Sequence, residues 1–222
     1  METFIRVSLI IHVAAGCIAL LAGLLAILFR KDVRTHRPLG KIYFWCMTVI
    51  FFTAIYISLY RKNIFLFCVA FFTYYSCITA YRSLKLKNLH KGQKPKTIDW
   101  FIEISFGIMH IFFLSFGIYL LITNISREFG IICLVFGLIG LRGNHLNTKR
   151  LRNDVEYSNY WLLAHIGGML ASYIGAITAF LVNNNRWIHM PNLIAWLGPA
   201  ALLIPLIVYE VKRTKKKGKL LR

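Results

Sequence analysis

Acidic residues are scarce in this chain: eight Asp and Glu stand against 27 Lys and Arg in 222 residues. In a soluble protein a formal net charge of +19 would suggest a nucleic-acid binder. Long polar stretches are missing too, so there is no room for a soluble domain beside the apolar runs. There is no C-x-x-C pair, and all five cysteines lie inside apolar runs, which argues against a disulfide framework or a cysteine-held metal. No H-E-x-x-H, Walker or dinucleotide motif, internal repeat or low-complexity segment occurs. The opening METFIRVSLIIHVAAG has only Arg6 before its apolar run and no small-x-small cleavage site. That run is too long for a signal-peptide core, so it is expected to stay as a first helix.

What fills the chain is apolar sequence, 58% of all residues. A hydrocarbon core about 30 Å thick needs roughly 20 apolar residues to cross it. Candidate spans run at about 5–29, 42–60, 64–81, 99–123, 129–146, 159–182 and 192–211. The basic residues alternate with them. Arg30, Lys31, Arg34, Arg37 and Lys41 lie between the first two spans. Arg82, Lys85, Lys87, Lys91, Lys94 and Lys96 lie between the third and fourth, and Arg142, Lys149, Arg150 and Arg152 between the fifth and sixth. The tail KRTKKKGKLLR joins the same side, leaving only Arg6, Arg61, Lys62, Arg127 and Arg186 on the other. Positive-inside bias then predicts an all-α integral membrane bundle of seven helices, N-terminus outside and C-terminus cytoplasmic. The domain organisation is a membrane domain over 1–211 and a basic cytoplasmic tail over 212–222. The charge excess reads as topology, with some attraction of the tail to anionic lipid, and no nucleic-acid partner is expected.

The turns RKN (61–63) and NISRE (124–128) are short, so sequential helices should be antiparallel neighbours. Pro38 is expected just inside the second helix with Thr35 as its cap, and Pro191 should serve the seventh in the same way. In WLLAHIGGMLASYIGAITAFLVNN (161–184), Gly167, Ala171, Gly175 and Ala179 recur every fourth residue, a stripe that lets a neighbouring backbone approach. The opposite face carries His165, Met169, Ser172 and Tyr173, directing His165 into the bundle rather than toward lipid.

Ionisable groups inside spans are costly, which makes them functional candidates. His12, His110 and His165 lie within the first, fourth and sixth spans, with His145 and His36 at cytoplasmic ends; His90 and His189 read as solvated. His12 shares a face with Gly16, Ala19 and Gly23, leaving room beside the imidazole. In IDWFIEISFGIMHIFF, Asp99, Glu103 and His110 at i, i+4 and i+11 fall roughly on one helix face. Three readings stay open. The favoured one is b-type haem between helices for electron transfer or haem handling. His12, His36, His110 and His165 are its axial candidates, Met169 a supporting residue, Glu103 a tuning or relay group, and a redox protein or small molecule the partner. The second is a zinc-dependent hydrolase or transferase on His36, His145 and His165, with Glu103 as general base. The third is a small transporter or proton relay through Asp99, Glu103 and His110. Beside these stands a structural role, histidines merely bonding neighbouring helices and Arg82 and Arg142 snorkelling to headgroups. Tyr43, Tyr74, Tyr75 and Tyr81 fit an interfacial aromatic belt.

Four segments carry a family likeness: THRPLGKIYFW, WLLAHIGGMLASYIGAITAFLVNN, IHVAAGCIALLAGLLAI and ITAYRSL. They resemble a family of uncharacterised bacterial polytopic membrane proteins, a domain of unknown function, over most of the chain. The resemblance implies a multi-pass protein of the bacterial cytoplasmic membrane and points to His12, His36, Arg37, Gly40, Tyr43, Tyr81, Arg82, His165 and Met169, without implying an activity. A looser analogy to two-haem transmembrane cytochromes b lies only in the several intramembrane histidines.

Overall fold

The computed structural model describes residues 2–220, apart from the side chains at 65, 128, 192 and 193. Its regular structure is helical: α1 Glu2–Leu28, α2 Val33–Tyr60, α3 Ile64–Ser83, α4 Thr97–Ile122, α5 Arg127–Leu151, α6 Tyr160–Ile188 and α7 Asn192–Lys215. A short 3₁₀ turn, Leu89–Lys91, sits between α3 and α4. Among the described residues there is no strand, only one antiparallel bridge between Tyr157 and Leu220. All helices except α3 are long and apolar enough to cross a membrane. α3 has 20 residues, about the thickness of the hydrocarbon core at 1.5 Å per residue. Large apolar side chains such as Phe4, Ile10, Leu21, Phe101, Ile104, Ile122 and Leu202 are exposed along these helices, so lipid is their solvent.

Several helices outrun their apolar segments, because hydropathy marks contact with lipid while hydrogen bonding and caps set helix ends. α2 begins at Val33, well before Ile42, on an N-cap supplied by Asp32, whose carboxylate accepts Arg34 N at 3.0 Å. Thr35, expected as the cap, instead donates its hydroxyl to Asp32. These two donors hold the exposed Asp32 carboxyl below its ordinary value, the Thr35 hydroxyl contributing most. Pro38 consequently lies inside α2 rather than at its start. Pro191 does precede α7, and its carbonyl accepts Ile194 N and Ala195 N at 2.9 and 3.1 Å.

The chain divides into two compact units, one of Met1–Cys77 with Leu170–Leu206, the other of Ile78–Met169 with Ile207–Arg222. In the first, α1 packs along α2, and the residues that α1 buries are all small: Ala15, Ala19, Ala22, Gly23 and Ala26. Gly23 lies under the rings of Tyr173 and Tyr43, where a Cβ would come within 2.6 Å of Tyr173. Tyr173 Oη donates to the Leu20 carbonyl at 2.9 Å, and Tyr43 Oη and Ser172 Oγ are hydrogen-bonded at 2.7 Å. Tyr43 and Tyr74 thus belong to the packed interior, Tyr74 stacking on Phe51 with ring centres 4.4 Å apart, and not to an interfacial belt. The α6 stripe is used only in part. Gly175 seats Thr73 so closely that a Cβ would fall 2.5 Å from Thr73 Oγ1, whereas nothing lies within 4 Å of a Cβ at Gly167.

In the second unit α4 and α5 lie against each other along their length. Glycines set the separation: a Cβ at Gly117 would meet Gly130 O and Leu134 N at 2.8 Å, and one at Gly137 would meet Leu114 N at 2.8 Å. Next to this pair, Leu86, Leu89, Leu151, Val155 and Tyr160 form a buried cluster flanked by Trp100 and Trp161. Tyr160 Oη accepts Leu89 N at 2.9 Å and donates to the Leu86 carbonyl, fastening the α3–α4 loop to the start of α6.

Candidate functional site

The buried positions of α4 are Asp99, Ile102, Glu103, Phe106, His110, Phe113, Gly117 and Leu120, a three-and-four spacing that makes one seam. The expected common face of Asp99, Glu103 and His110 is real, and all three side chains are buried on it. α5 answers with Cys133, Gly137, Gly140, Asn144 and Leu151 at matching spacing.

Three polar side chains join across this seam. Asn144 Nδ2 donates to Glu103 Oε2 at 3.1 Å and to the Glu103 carbonyl at 3.2 Å. Its Oδ1 meets His110 Nδ1 at 2.6 Å, and Asn147 Nδ2 donates to the other carboxylate oxygen, Oε1. With the amide nitrogen committed to Glu103, Asn144 Oδ1 can only accept, so His110 carries its proton on Nδ1. The donors therefore run in one direction, His110 to Asn144 to Glu103, and both carboxylate oxygens are used as acceptors. His110 is wholly buried, and its Cδ2–Nε2 edge lies against Gly140, where a Cβ would overlap the ring. A porphyrin could not reach that nitrogen unless α5 moved aside, so the haem expectation fails a steric test at His110.

Asp99 closes the N-terminal end of α4. Arg82, at the end of α3, donates Nε to Oδ1 at 2.7 Å and Nη2 to Oδ2 at 3.0 Å, a bidentate pair on a carboxylate 2% exposed. Lys96 N also donates to Oδ2 at 2.8 Å, so the same carboxylate satisfies a main-chain donor at the start of α4. Arg82 is thus an ion-pair partner and does not snorkel; a buried carboxylate in low dielectric needs the charge more than a headgroup does.

Three further histidines present Nδ1 to an acceptor. His36 Nδ1 meets the Ala26 carbonyl at 2.9 Å, and His165 Nδ1 the Ala80 carbonyl at 3.2 Å. His12 Nδ1 lies 2.9 Å from Thr53 Oγ1, whose own proton goes to the Val49 or Ile50 carbonyl. Carbonyls only accept, so in each neutral ring the lone pair is on Nε2. His145, one residue beyond Asn144, is exposed, as are Arg37 and His189. Tyr81 and Met169 are half-buried, and a Cβ on Gly40 would meet open space. His90, expected in solvent, is half-buried with its ring edge-on to Tyr160. Cys68, Cys77 and Cys133 are buried, whereas Cys17 is exposed. Among the described residues no group of three or more His, Cys, Asp or Glu could hold a metal ion, so no zinc cluster stands behind His36, His145 and His165.

Asn144 and Asn147 belong to no recognisable motif, and the one titratable residue of the segment, His145, lies between them. Their signal was spacing: at i and i+3 they continue the Gly137, Gly140 row toward the end of α5. No curated protein and no solved structure is detectably similar to the chain. Residues 9–142, more than half of the chain and including α4 with Glu103 and His110, match the family described as Predicted membrane protein (DUF2306), and the chain belongs to that family.

Proposed function

We propose that this is a seven-span protein of the bacterial cytoplasmic membrane, N-terminus outside and C-terminus cytoplasmic, whose α4–α5 seam handles protons. Seven helices whose connections alternate between many and few basic residues support the topology. The observation that carries the function is the buried chain His110–Asn144–Glu103. A carboxylate and an imidazole are the two groups that exchange protons most readily near neutral pH, and ionisable side chains are kept inside spans chiefly for such work. Asn144 is the positioning residue: its amide holds both groups without titrating. Glu103 and His110 are the proton-carrying pair, and Asp99 is neutralised by Arg82 as a structural end to the seam.

The experiment is proton flux in proteoliposomes loaded with a pH-sensitive dye and energised by an imposed potassium gradient. Protein-dependent flux that is abolished by Glu103→Gln and by His110→Phe, in variants that elute as the parent does, is the expected result. Flux unchanged by both substitutions, or no flux above empty vesicles, would overturn the proposal.

One observation favours a second reading. His36 and His165 donate Nδ1–H to main-chain carbonyls, the arrangement that fixes an imidazole for ligation through Nε2. Either could bind haem b, with Met169 one turn from His165. A reduced-minus-oxidised absorbance spectrum after expression with haem supply tests it: split b-type bands lost in His36→Ala or His165→Ala support haem, and a featureless spectrum refutes it.

A further inference from the structure

The last turns of α7 carry VKRTKKKGK directly after an apolar helix, and the structure ties them down. Asn159 Nδ2 donates to the Thr214 carbonyl at 2.6 Å. Ser158 N donates to the Lys219 carbonyl, and Lys219 N to Ser158 Oγ, each at 3.0 Å. Tyr157 and Leu220 form the antiparallel bridge, and Lys215 Nζ lies 4.5 Å from the centre of the Tyr157 ring. Between these strapped segments is a cavity of about 770 Å³ lined by Tyr157 and Tyr209 and by Lys212, Arg213, Lys216 and Lys217, together with Lys215. Two carboxylates answer two of the cations: Glu210 is 3.9 Å from Arg213, and Glu156 is 3.9 Å from Lys215. Among the described residues none pairs with Lys212, Lys216 or Lys217, which are all exposed.

We propose that this groove is a binding site for an anionic membrane lipid, and for one with two phosphates in its headgroup. Three features carry it. The first is depth: the cations begin within a turn of Val208 and Tyr209, both exposed at the apolar end of α7, and a tyrosine there marks the headgroup level. A lipid is present at that depth at high local concentration, whereas a soluble phosphate is not. The second is charge. Three unanswered ammonium groups exceed what one phosphodiester can neutralise, while two phosphates spaced by a short linker suit a cavity of this size. Basic pockets at span ends recognise such headgroups. The third is pre-organisation. Because the bonds from Ser158 and Asn159 fix residues 214–219 before any ligand arrives, little further ordering entropy is lost on binding. Tyr157 and Tyr209 add hydroxyl donors and flat apolar faces for the glycerol and the first acyl carbons.

The test uses the full chain in detergent, stripped of lipid, with adducts read by native mass spectrometry. The probes are cardiolipin, phosphatidylglycerol at twice the molar amount so that phosphate is matched, phosphatidylcholine, and free pyrophosphate. One retained cardiolipin per chain is expected. The triple variant Lys212→Gln, Lys216→Gln, Lys217→Gln should weaken it about a hundredfold, at about fivefold per cation removed. The matching triple Lys→Arg variant should retain binding, which separates lost charge from lost folding. Phosphatidylglycerol held as tightly as cardiolipin would overturn the two-phosphate assignment. Pyrophosphate held as tightly would make the source soluble rather than lipid. Cardiolipin binding unchanged in the Gln variant would remove the site altogether.

Discussion

Replacing Asn144 with leucine removes three hydrogen bonds from the α4–α5 seam in one step: those to His110 Nδ1, to Glu103 Oε2 and to the Glu103 carbonyl. Leucine keeps the four-atom side chain of asparagine, branched at the same carbon, so the outline is roughly kept while the polarity is lost. Hydrogen bonds between membrane helices average about 0.6 kcal/mol, so the three together contribute about 2 kcal/mol. His110 is fully buried, and its Nδ1–H, left without its acceptor, adds a further cost of about 1–3 kcal/mol. The predicted loss is therefore about 3–5 kcal/mol, reached in the upper half if no water enters beside Glu103. Reversible unfolding in mixed micelles, titrated with sodium dodecyl sulfate, measures it. The same substitution made in a Glu103→Leu background should cost less, because the buried carboxylate that needed the amide is gone. A loss below about 0.5 kcal/mol, the size expected at an inert surface position, would refute the reasoning. So would an equal loss in both backgrounds.

Three further outcomes follow from the packing and the charges. Gly140→Ala drives a methyl group into the His110 ring and should cost about 1–3 kcal/mol, while Gly167→Ala, with nothing within 4 Å, should be neutral; thermal unfolding in detergent compares the two. Asp99→Ala strands Arg82 and uncaps α4, so about 3 kcal/mol should be lost, measurable in the same unfolding titration and larger than the loss from exposed Arg37→Ala. The Asp32 carboxyl titrates below its ordinary value because Thr35 and Arg34 donate to it. Its cap is thus in place at neutral pH, above the unfolded value, and is lost as pH falls through the depressed folded value. The amide resonances of Arg34 and Thr35 should shift only in that acid window, and a shift centred at or above the ordinary aspartate value would contradict the sign.

The α4 half of the site was legible in the sequence. Asp99, Glu103 and His110 stand at helical spacing in an apolar segment, and a charged group in such a place has to face protein rather than lipid. The α5 half was hidden by chemistry: His145 attracts attention as a ligand, yet spacing from Gly137 and Gly140 puts Asn144 on the seam and His145 outside it. The role of Arg82 is hidden for another reason. A cation at a helix end beside basic neighbours looks like a headgroup contact, and its partner, Asp99, lies across a loop whose path no local pattern predicts. Helix bounds were blurred at α2, α5 and α6 because apolarity stops where lipid stops, whereas caps such as Asp32 decide where hydrogen bonding begins. The small-residue stripe of α6 gave half an answer: Gly175 has its neighbour in Thr73, and Gly167 has none.

Proton exchange between Glu103 and His110 is tested most directly by infrared difference spectroscopy of the protein in lipid, stepped from neutral to acid pH. It predicts a carboxyl C=O band that appears on acidification, vanishes in Glu103→Gln and moves in Asn144→Leu, together with an imidazole band lost in His110→Phe. Carboxyl and imidazole bands identical in the parent, Glu103→Gln and His110→Phe would contradict it.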